Sequence, residues 1–176
     1  MKKNLILLFV WLYAASSISQ NIITDASVTF KIRNLGFNVD GLFSNSQITS
    51  DFSSEQPSEW QLQGTVDIAS VDTGNEKRDN HLLQDDYFNE AKFPKMTLVA
   101  TSFKPIEDNF YNVNVDLTIK DKTKSIRVPM RIEKTSNGEA FTCNFKINRL
   151  DFEVGESSFV MSNTVKILVE YNINYN

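Results

Sequence analysis

The feature that most constrains this chain is a period of two. Val28, Phe30 and Ile32 alternate with Thr29, Lys31 and Arg33, and Trp60, Leu62, Val66 and Ile68 alternate with Gln61, Gln63, Thr65 and Asp67. The longest clean run is Tyr111, Val113, Val115, Leu117 and Ile119. It is followed by Ile126 to Ile132, Phe141 to Ile147 and Val165 to Ile173, each apolar at every second position. Successive side chains of a strand point to opposite faces, so these runs are strands with one buried and one wet face. The links are short and polar: Glu107-Asp108-Asn109, Asp121 to Lys124, and the hairpin dipeptide Asn137-Gly138. Such links favour antiparallel meandering over crossover helices.

Two segments break the rhythm. Leu35 to Asn45 carries Gly36 and Gly41 among aromatics, and residues 75–93 form a dense charged stretch in which Asp79 to Phe88 predicts a short helix or two turns. Ser44 to Glu59 reads as one strand and a loop. Pro129 lies inside a strand run and cannot donate to a central ladder, so it predicts an edge position or a bulge. The expectation is an all-β fold, a single antiparallel eight-stranded barrel with a helical or loop insertion near residues 75–93. Such a barrel is either filled by side chains or holds one small ligand. Thirteen phenylalanines suit both, and periodicity does not distinguish them.

The N-terminus reads as a secretory signal. Lys2 and Lys3 precede an apolar run, Leu5 to Ala15, and Ser17-Ile18-Ser19 places small residues where a signal peptidase reads. The run is shorter than the roughly 20 residues of a membrane-spanning helix. Cleavage after Ser19 is expected, leaving one domain at 20–176 without stable membrane insertion, in a periplasmic or secreted location. Loss of the two lysines takes the formal charge from −4 to −6. A chain of that sign has no electrostatic footprint for nucleic acid. The lone Cys143 cannot form an internal disulfide, and it shares a face with Phe141, Phe145 and Ile147, as a small buried hydrophobe would.

Catalytic patterns are missing. His81 is the only histidine, and no nucleophile motif accompanies it. One histidine beside Asp79, Asp85 and Asp86 lacks the nitrogen and sulfur ligand set of zinc, and no glycine-centred acidic loop suits calcium. The expectation is a non-enzyme with no metal and no catalytic cofactor.

Four blocks in order resemble the YceI family. They are VTFKIRNLGFNVDGLF, VDIASVDTGNEKRDNHLLQDDYFNEAKFPKMTLVATSF, VDLTIKDKTKSIRVPMRI and INRLDFEVG. The chain departs from the family pattern at Asn34, where a histidine is usual, and at Asp121, where a glycine is usual. The resemblance implies a lipocalin-like barrel that is exported, often pairs as a homodimer, and holds a polyisoprenoid such as a quinone tail or an isoprenyl phosphate. It implies no defining enzymatic activity.

A long hydrocarbon needs an apolar lumen, because its affinity comes from area removed from water, roughly 0.8 kcal/mol per buried CH2. The strand runs offer Phe30, Ile32, Trp60, Leu62, Val66, Met96, Leu98, Val113, Val115, Leu117, Val128, Phe141, Phe145 and Ile167 as lining. Arg78, Asp79 and His81 stand where the family's capping loop lies, and Asn34 joins them as a head-group candidate at the barrel mouth. Arg78 suits a phosphate in fork geometry, and His81 or Asn34 suits a quinone oxygen. The competing reading pairs Arg78 with Asp79 to fix the loop and packs His81 on the barrel end. A second function class stays open, a filled barrel serving as a structural, interaction or stress-response module.

Overall fold

The computed structural model describes residues 21–23 and 26–174, and the expected signal segment, residues 1–19, lies outside them. Eleven strands join one sheet. They are β1 (Asn21–Ile23), β2 (Ser27–Asn34), β3 (Phe37–Phe43), β4 (Ser46–Asp51), β5 (Gln61–Asp67), β6 (Val71–Asp72), β7 (Lys95–Glu107), β8 (Phe110–Ile119), β9 (Lys122–Lys134), β10 (Gly138–Asn148) and β11 (Met161–Asn174). The helix α1 (Glu76–Leu82) lies between β6 and β7. Turns continue the insertion to residue 92, so the expected helical segment is present and begins three residues before Asp79.

Every neighbouring pair is antiparallel, and the order is β1-β4-β5-β7-β8-β9-β10-β11-β2-β3-β6. The expected eight-stranded closed barrel is therefore corrected to a curled sheet, a half-barrel with a seam. The reason is local. β3 runs into β4 through Ser44-Asn45, although the two lie near opposite ends of the strand order. β5 crosses the same seam through the 3-10 turn Ile68–Ser70 to reach β6. Ser44 N–H donates to Ser70 O at 3.1 Å and Asp67 N–H to Asn45 O at 3.0 Å. Two chain crossings hold the ends together where a closed barrel would have a ladder.

The stretch read as a break, Leu35 to Asn45, contains β3. Gly41 hides the alternation there and has a packing role: a Cβ at Gly41 would lie 2.3 Å from Phe30 Cζ, so the missing side chain lets the Phe30 ring lie across the neighbouring strand. Pro129 is neither on an outer strand nor at a bulge, because β9 is interior to the sheet and its register with β8 is unbroken. The β9–β10 ladder stops at Met130 opposite Cys143, so Pro129 stands where those strands part and no donor is wasted.

The inward residues form two clusters. One holds Val113, Val115, Met130, Phe141, Phe145 and Tyr171, and the other holds Phe43, Ile68, Met96, Leu117, Ile119, Phe152 and Val154 under α1. Cys143 is buried in the first. Leu98, Ile126 and Ile147 pack against both.

Candidate functional site

A cavity of about 340 Å3 runs between the strands and touches both clusters. Alternation aims the wall inward. β2 contributes Phe30 and Ile32, β5 Leu62 and Val66, β7 Met96 and Leu98, and β8 Val113, Val115 and Leu117. Val128 from β9, Phe145 from β10 and Ile167 from β11 complete twelve of the fourteen lining residues expected from sequence. Within the deeply buried run of β8, the inward residues are 1–8% exposed.

Trp60 and Phe141 stand behind the wall. Phe141 stacks between Phe52 (centroids 5.1 Å apart) and Tyr171 (4.6 Å), while Trp60 packs on Phe52, Phe103 and Tyr111 and donates its indole N–H to Ser54 O at 2.7 Å. These aromatics are core. Tyr171 reaches the cavity, and its hydroxyl is buried with no partner among the described residues. The Ser50 hydroxyl is also unpartnered.

The expected head-group residues collect around α1 and the β2–β3 turn. Asn34 closes β2 and, with Arg78 and His81, lines the cavity. Asn75 caps α1 by accepting from Arg78 N–H at 3.1 Å. Arg78 and Asp79 meet on Thr73: Arg78 Nε donates to Thr73 Oγ1 and Nη2 to Thr73 O, both at 2.7 Å, while Asp79 Oδ1 accepts from Thr73 N–H at 3.0 Å and from the Thr73 hydroxyl. Asp79 is outside the cavity wall, and its geometry is that of a loop brace. His81 Nε2 lies 3.0 Å from Asp86 Oδ2, and its ring meets Tyr87 edge-on at 4.9 Å. Both partners of that contact are more than half exposed, so it adds little stability.

Arg149, which sequence reasoning passed over as part of a motif, is the most unusual group in the wall. It is 3% exposed. Its Nε donates to Ser162 O (3.0 Å), Nη1 to Val154 O (2.8 Å), and Nη2 to Glu156 O (2.8 Å) and Asn163 Oδ1 (3.1 Å). All four acceptors are neutral, and among the described residues no ion pair is recorded for it. Burial lowers its pKa and the nearby Tyr87 pulls the other way. Guanidinium stays charged at neutral pH, so the cavity wall carries a cation that is held by four neutral oxygens and has no ion-pair partner among the described residues. One of its five N–H groups remains beyond those four bonds. The sequence signal was available only weakly, as a basic residue directly after the alternating run of β10.

These side chains can enclose an apolar chain and meet a polar or anionic end. Among the described residues, no group of three or more His, Cys, Asp or Glu is arranged to hold a metal ion.

The YceI-like domain model matches residues 21–173. A UPF0312 protein of Photorhabdus laumondii is 34% identical over 121 residues, 65% of this chain and 62% of the relative, so the chain covers less than two thirds of that protein. The crystal structure of the Campylobacter jejuni YceI protein superposes with a TM-score of 0.72 at 32% identity, covering 80% of this chain and 86% of that one. A polyisoprenoid binding domain from Saccharophagus degradans, implicated in plant cell wall breakdown, superposes with a TM-score of 0.72 at 15% identity, covering 90% of this chain and all of that one. That last likeness is one of fold.

Proposed function

This chain belongs to the YceI-like family, and from that premise we propose that it is an exported carrier of one isoprenoid lipid, with no catalytic step of its own. The observation that carries the reading is the apolar cavity of about 340 Å3. Its size lies at the lower end of the roughly 300–1,000 Å3 of small-molecule sites. A packed structural module has no use for such a void, because unfilled space forfeits dispersion contacts. Burying ten CH2 groups supplies about 8 kcal/mol before the cost of lost motion.

Arg149 supports an anionic head, an isoprenyl phosphate, ahead of a quinone. A charge-assisted hydrogen bond contributes about 1.5–3 kcal/mol, whereas a quinone oxygen would leave the cation uncompensated. Arg78 keeps three N–H groups beyond its two bonds to Thr73, and with His81 and Asn34 it lines the same cavity.

The test is native mass spectrometry of the protein recovered after export, followed by organic extraction and lipid identification. Geranylgeranyl phosphate and geranylgeraniol are then titrated separately. A stoichiometric isoprenoid adduct is expected, with the phosphate bound about tenfold or more tightly than the alcohol. A clean protein mass together with failure of both added lipids would remove the carrier reading. Equal affinities would leave the tail site and remove the anionic head.

A further inference from the structure

The inner wall of the sheet does not stop at the cavity. In β3, Phe37 shares the inward face of Val39, Gly41 and Phe43, yet Phe37 is 76% exposed. It projects past the end of the wall beside Asn34, its ladder partner, which also pairs with Met161. Asn34 and Met161 both line the cavity. Next to them in the chain come Leu35, 66% exposed, and Phe159 and Val160, 111% and 52% exposed. The two loops are tied together, with Leu35 N–H donating to Val160 O at 2.8 Å. Four large apolar side chains thus crowd onto two joined loop tips at the rim of an apolar cavity.

Leu35 is held at φ +50°, in a region that a bulky side chain adopts at a cost and that Asn or Gly fills freely. The strain has no return inside the fold, since the side chain lies in solvent. Arg33 lies beneath the tip, its Nε donating to Gly36 O at 3.3 Å, which places a cation just behind the apolar residues. Apolar tips backed by a basic residue suit the boundary between acyl chains and head groups.

We propose that this collar inserts into a lipid bilayer and loads the cavity directly from it. The proposal rests on the carrier reading for its purpose, and its occupant follows from continuity with the cavity: an apolar ligand leaving the rim onto a membrane never crosses water. The chain's negative charge gives no general attraction to anionic lipid, so the expected surface is a neutral bilayer held by the apolar tips.

The test uses phosphatidylcholine vesicles and the F37S/F159S double variant, whose changed side chains lie outside the cavity wall. Both proteins are recovered after export, as in the lipid-binding test, so the two differ only at the collar. Vesicle flotation is expected to fall about tenfold in the variant. Transfer of geranylgeranyl phosphate between vesicles should slow by a similar factor, while affinity for the dissolved ligand stays within about twofold. Unchanged flotation would overturn the proposal. So would a wild-type dimer that the variant splits in sedimentation, because the collar would then be an interface between two copies. If flotation depends on the collar but no lipid binds in solution, the membrane surface stands and the carrier reading fails.

Discussion

Tyr171 couples a well-packed ring to an unsatisfied hydroxyl. The ring stacks on Phe141 at an interplanar angle of 3°, and burial pushes its pKa well above the usual phenol value. An unpaired buried hydroxyl costs about 1–3 kcal/mol, so Tyr171→Phe keeps the stack and removes the penalty. The urea midpoint of ligand-free protein is expected to rise by the equivalent of about 1 kcal/mol, and a fall would mean that water in the cavity satisfies the group. Cys143 gives a pH dependence. Burial pushes its thiol from 9.0 up to about 12, so the unfolded chain ionises first as pH rises. Stability from this group is complete below pH 9.0 and is lost as pH climbs toward 12, by up to 1.36 kcal/mol per unit. From about pH 8 to about pH 10.5, wild type should lose about 2 kcal/mol more than Cys143→Ala in urea titrations. At this scale the sequence was readable where alternation sets the environment, as at Val115 or Cys143. It was silent on Arg149, because burial of that cation depends on carbonyls 5–14 residues away turning toward it.

The insertion between β6 and β7 shows how a short element is held. α1 has seven residues and none of them is buried, so packing alone does not fix it. Its hold comes from the Asn75 cap and from Thr73, whose hydroxyl accepts from Arg78 and donates to Asp79. Thr73→Val keeps the β-branched shape and removes both bonds. It should cost about 1 kcal/mol globally while speeding hydrogen exchange of the α1 amides far more than that of β8, since local opening is governed by local contacts. Equal acceleration in α1 and β8 would show that the brace supports the whole sheet. The helical segment was legible from its charge density and its loss of period two. β3 was not, because Gly41 occupies an inward position and broke the count. Pro129 pointed to an edge or a bulge and lies at neither, because the register places it on an interior strand where β9 and β10 separate.

At the scale of the molecule, the half-barrel divides its interior into two clusters with a void along them. Periodicity reported one apolar face; it carried no information on whether opposite walls meet, because that depends on strand order and on how the seam draws the sheet's ends together. Leu98 tests the distinction, since it lines the cavity and packs against both clusters. In a filled core, a larger side chain there would force strain costing about 1–3 kcal/mol. In a void, the same atoms gain contacts that the wall now lacks. Leu98→Trp is therefore expected to hold or raise the melting temperature while weakening geranylgeranyl phosphate binding by more than about tenfold, because the indole takes the volume the tail requires. Stability and binding should move in opposite directions, as they do where a fold keeps open space for its ligand. A destabilised variant that binds normally would place the tail elsewhere and make this region ordinary core. A stable variant that no longer binds would identify the void between the two clusters as the path of the lipid chain.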